Sequence, residues 1–113
     1  MAMHIMRLSV ADAAAFMSDR ERENLEHRVL CPSGSLCTPP VSLRGFQSGD
    51  DPTHVIILTE GDWTAEQLDA WRSCPHRQAI WEHAESGGAR HVDFDHDNHH
   101  VGEFVEIWAA SFA

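Results

Sequence analysis

The chain of 113 residues contains no lysine: its eight basic residues are all arginines, set against eighteen Asp and Glu for a formal charge of -10. So little positive charge excludes the electrostatic footprint that a nucleic-acid backbone demands. Long apolar runs are missing too. Val55 to Leu58 is among the longest, far short of a membrane span. The N-terminus lacks the apolar core of a secretory signal. Cysteine is scarce and odd in number, with Cys31, Cys37 and Cys74 only. An odd count without an export signal predicts reduced thiols. Cys31 and Cys37 are separated by five residues, outside the usual zinc spacing. They read as small buried side chains, with zinc as the alternative. A 42% apolar and 23% charged composition is that of a folded domain rather than a disordered acidic tail. These absences together predict one acidic, cytoplasmic domain spanning residues 1–113.

Met3 to Val10 is short, apolar-rich and partly alternating, which suits a strand. Ala11 to Leu30 reads as a helix, with Leu25 and Val29 at i, i+4 as its inward stripe. Ser18 and Glu21 form a capping-box pattern at which this helix would bend. The charges from Asp19 to Glu23 read as a solvated face. Cys31 to Pro40 is a breaker-rich loop. Val41 to Gln47 and Thr53 to Thr59 are strands. The second is apolar on both faces at Val55 to Leu58, so both faces need cover. Thr64 with Gln67 is a capping box that starts a second helix, interrupted at Pro75 and ended by Gly87-Gly88. A last strand lies around Glu103 to Trp108.

The resulting order is β-α-β-β-α-β, a ferredoxin-like α+β arrangement with a four-stranded antiparallel sheet and both helices on one face. Its bare face would carry the Val55 to Leu58 strand, and a homodimer through that sheet face covers it.

Gly45-Phe46, the acidic turn Asp50-Asp51-Pro52, a β-run closing on Trp63, then Ala70-Trp71 and Cys74-Pro75-His76 resemble the dimeric α+β barrel superfamily. Within it the closest likeness, from Arg44 to Ser86, is to antibiotic biosynthesis monooxygenase-like domains. That resemblance implies a pocket between helices and sheet, and cofactor-independent oxidation of phenolic or quinol-type aromatic metabolites. His83 would be the base, Arg77 would hold a developing oxyanion, and Trp71 would complete the catalytic group. Trp63, His76, Ile80 and Trp81 would line the site for a small apolar or aromatic molecule. Read without the resemblance, the tryptophans are core residues, the histidines lie at the surface, and Arg77 pairs with Asp69 or Glu82. A haem-degrading branch of the superfamily expects a histidine nine residues after its helix tryptophan and a first-strand asparagine. Ile80 and Met6 stand there instead, which argues against haem.

His91, His96, His99 and His100, interleaved with Asp93, Asp95 and Asp97, offer metal-competent groups without a recognised spacing. Two further functions stay open beside the oxygenase: a non-catalytic ligand-binding or regulatory dimer, and a metal-binding protein built on this histidine tract.

Overall fold

A computed structural model describes residues 1–31, 37–92 and 103–112. Along the chain run β1 (Ala2–Ser9), α1 (Ala13–Leu30), β2 (Ser42–Ser48), β3 (His54–Gly61), α2 (Ala65–Ser73), α3 (Pro75–Ser86), β4 (Arg90–His91) and β5 (Phe104–Ser111). The five strands form one antiparallel sheet in the order β4-β1-β3-β2-β5.

This corrects the expected four-stranded β-α-β-β-α-β unit in two ways. Pro75 divides the second helical region into α2 and α3, because it has no N–H to continue a helix but suits a first turn. Gly88, at φ 99°, then reverses the chain so that Arg90 and His91 pair with Ser9 and Leu8. That two-residue β4 takes the seat beside β1, and β5 extends the sheet beyond β2. A strand so short leaves no periodicity to read.

The core lies between the helices and one sheet face, around Leu8, Met17, Leu43, Val55 and Ile57. Each such side chain contributes roughly 1.5–3 kcal/mol by leaving water. Strict alternation along β3 explains the double-faced apolar run: Val55 and Ile57 are buried, while Ile56 and Leu58 point to the open face. Ile5 pairs with Leu58, and Phe46 with Ile56, on that same open face. Met3 and Ile5 there are 52% and 60% exposed.

α1 is one unbroken helix, capped by the Asp12 carboxylate accepting from the Ala15 N–H, with no bend at Ser18. Its inward stripe is also not the expected one. Leu25 and Val29 are 50% and 81% exposed, and the buried positions are Ala13, Phe16, Met17, Arg20, Glu23, Asn24 and His27. The charges between Asp19 and Glu23 therefore split. Arg20 and Glu23 face inward and pair at 2.8 Å, while Arg22 and Asp19 face solvent. No helix among the described residues is long and apolar enough to cross a membrane.

Candidate metal centre

The polar end of the α1 stripe leads to a cluster that no apolar pattern would reveal. His27 sits in the last turn of α1, and Cys31 is its C-cap, its backbone N–H donating to the His27 carbonyl at 2.8 Å. Four residues apart at a helix end, the two side chains share a face. Cys37 enters from the segment leading to β2. Beside it, Thr38 is fixed by the Trp63 indole N–H, which donates to its carbonyl at 2.6 Å. Cys74 joins from the α2–α3 junction, where it is both the C-cap of α2 and the N-cap of α3.

The ligand atoms of His27, Cys31, Cys37 and Cys74 all lie within 4.8 Å of one another. Cys31 Sγ is 3.7 Å from Cys74 Sγ. His27 Nε2 is 3.4 Å from Cys37 Sγ and 3.5 Å from Cys74 Sγ. A ring nitrogen has one lone pair or one proton, so it cannot satisfy two thiols at once. A shared metal ion can. Zinc–sulfur bonds of about 2.3 Å and a zinc–nitrogen bond of about 2.0 Å, tetrahedrally arranged, give sulfur–sulfur edges of about 3.8 Å and sulfur–nitrogen edges of about 3.5 Å. The three distances match those edges.

Electrostatics suit metal capture. Burial, with His76 and Arg77 close by, lowers the His27 pKa and keeps the imidazole a neutral donor. Burial raises the Cys31 and Cys37 thiols. Burial also opposes ionisation at Cys74, but the Cys37 thiol and the nearby N–H groups of Arg77 and His76 at the start of α3 outweigh it and hold this thiol below its ordinary value, although its side chain makes no cap hydrogen bond. The cause is positional, since an N-cap sulfur faces the free N–H groups of a helix start. His27, Cys31 and Cys74 are buried and Cys37 is half-buried. His27 Nδ1 is buried without a partner among the described residues.

The residues expected to form an aromatic pocket are only partly gathered. Trp71, Arg77, Ile80 and Trp81 line one apolar cleft between helices and sheet, whose volume is about 40 Å³. Trp63 lies outside its lining, stacked on Trp71 at 4.8 Å. His83 faces elsewhere: its Nδ1 donates to Glu23 Oε1 at 2.7 Å, and its side chain is 59% exposed. His76 is also outside, with its ring 6.0 Å from that of His27. Arg77 pairs with neither Asp69 nor Glu82; it stacks over Trp71 at 4.6 Å. His91 is exposed, its ring 4.5 Å from that of Trp81. His96, His99 and His100, with Asp93, Asp95 and Asp97, lie outside the described residues.

Sequence reasoning missed His27 as a ligand and treated the three cysteines as a pair plus one. The readable signals were the His27-to-Cys31 helical spacing and a cysteine directly before a helix-starting proline. No family model matches the chain, and neither a curated protein nor a solved structure does so significantly.

Proposed function

We propose that this is a zinc-binding protein whose His27, Cys31, Cys37 and Cys74 form a closed, four-coordinate structural centre. The observation that carries the reading is the convergence of four donor atoms at edge lengths of 3.4–3.7 Å where measured. Three soft thiolates and one imidazole in a tetrahedral set favour zinc over hard cations. With all four positions filled by protein, none remains for an activated water, so the metal joins α1, the segment before β2 and the α2–α3 junction. Metal analysis of untagged protein purified without chelator tests this. One zinc per chain, lost on Cys31→Ser, is expected. Metal-free protein that also fails to take up added zinc refutes it.

Oxidation of an aromatic metabolite draws less support. A cleft of about 40 Å³ has room for water, whereas drug-sized ligands occupy several hundred Å³. The open sheet face favours a second copy of the chain as partner, with Met3, Ile5 and Phe46 in the contact. Light scattering should then give twice the 12.7 kDa chain mass, and Ile5→Glu should return it to the monomer value. A monomer for the unaltered protein refutes the pairing.

A further inference from the structure

Three of the chain's eight arginines line a single open cleft. Arg7 comes from β1, where its Nε donates to His54 Nε2 at 2.7 Å, Arg72 from the end of α2 and Arg77 from the first turn of α3; His4 and His91 lie beside them. Asp69 is the one carboxylate among the described lining residues. The cleft measures about 700 Å³. In a molecule of charge -10, this concentration is the reverse of the general surface.

Arg77 makes the point most sharply. It is half-buried, yet no carboxylate among the described residues lies within ion-pair reach of it. Among the described residues its guanidinium donates to the Arg72 carbonyl at 3.4 Å and to the Met6 sulfur at 3.9 Å, and it stacks over Trp71. A planar fork of five donors is thus largely unspent at a site where partial desolvation makes an unpaired charge costly. Arg72 is exposed, and its contact with Asp69 is a long 3.9 Å. His4, which also lines the cleft, has its pKa lowered to about 4, first by burial and then by the neighbouring Arg77, Arg72 and His91, so it stands there as a neutral imidazole.

We propose that this cleft binds a small phosphorylated metabolite, with Arg72 and Arg77 holding the phosphoryl oxygens. Guanidinium forks match phosphoryl groups bidentately. The volume fits a metabolite-sized ligand, while the acidic remainder of the surface repels a long polyanion such as RNA. Arg72 and Arg77 flank Cys74 at the α2–α3 junction, but the cleft and the metal centre share no side chain, so the proposal does not rest on zinc being bound.

Titration calorimetry of the full chain at low ionic strength, with inorganic phosphate and with 3-phosphoglycerate, tests the proposal. Both should bind saturably at one site per chain, 3-phosphoglycerate more tightly, and both should weaken as salt rises. Arg72→Glu alters an exposed side chain, so the fold is retained. It should weaken binding at least about tenfold, the loss of one charge-assisted contact. Arg22→Glu, an exposed arginine on α1, is the control and should leave affinity unchanged. Arg77→Gln should weaken binding as Arg72→Glu does, with zinc content unaltered. No saturable binding of either anion overturns the proposal. So does equal weakening by the Arg72 and Arg22 variants.

Discussion

Cys74→Ser separates the two tasks of one residue. Serine is a favoured N-cap, so its hydroxyl can accept the N–H groups that Cys74 Sγ faces at the start of α3. It is, however, a poor zinc ligand. The metal-free variant should therefore match metal-free wild type within about 1 kcal/mol. With free zinc at a hundred times the dissociation constant, wild type gains about 2.7 kcal/mol. Unfolding entropy of about 2.1 cal/mol/K per residue over 113 residues converts this into a melting shift of about 11 °C. Losing one of four ligands should weaken binding at least about a hundredfold. At the same zinc concentration only about 0.4 kcal/mol then remains, a shift of about 2 °C. Differential scanning calorimetry in buffered zinc reads both numbers. The reasoning fails if Cys74→Ser keeps the full zinc-dependent shift, or if wild type has none.

Zinc affinity should rise with pH. Burial keeps protons on Cys31 and Cys37 when the site is metal-free, and zinc displaces them. His27, with its lowered pKa, is already neutral and contributes no proton. At least about two protons released per zinc at pH 7, those of Cys31 and Cys37, are expected from calorimetry in buffers of different ionisation enthalpy; a release near zero contradicts the assignment. Glu23→Ala strands Arg20, whose side chain is 8% exposed and pairs with Glu23 at 2.8 Å. A loss of about 3–5 kcal/mol in urea unfolding is expected, and a loss under about 1 kcal/mol is incompatible with a buried pair. Gly45→Ala would place a methyl 2.7 Å from Met17 Cε and 2.8 Å from its Sδ. Met17 is fully buried, so overpacking should cost about 1–3 kcal/mol in thermal melts.

Much of the scaffold follows from local chemistry. The apolar run at Val55 to Leu58 lies in the central β3, the Thr64–Gln67 capping box starts α2, and a proline after Cys74 opens α3. These signals are local, and the forces behind them act within a few residues. What escaped depends on distant partners. The inward face of α1 carries Arg20, Glu23, Asn24 and His27: Arg20 and Glu23 pair with each other, His83 of α3 joins Glu23, and Asn24 donates to the Arg20 carbonyl. Apolar periodicity therefore selected Leu25 and Val29 on the wrong side. β4 exists because Gly88 aims two residues at a free strand edge, not because Arg90 and His91 favour a strand. The candidate centre escaped for the same reason: Cys31 and Cys74 meet across 43 positions, which no spacing rule spans.

That separation bears on how the chain reaches its native state. His27, Cys31 and Cys37 leave the ribosome well before Cys74, with β2, β3 and α2 between them in the sequence. A nascent chain can hold a metal loosely through the first three donors, but the tetrahedron closes only after the central strands have emerged. Closing a 43-residue ring removes about 4 kcal/mol of chain entropy from the unfolded ensemble if the link behaves as a covalent one. A metal bound there would thus act as a late clasp, sealing a topology that strand pairing has already chosen.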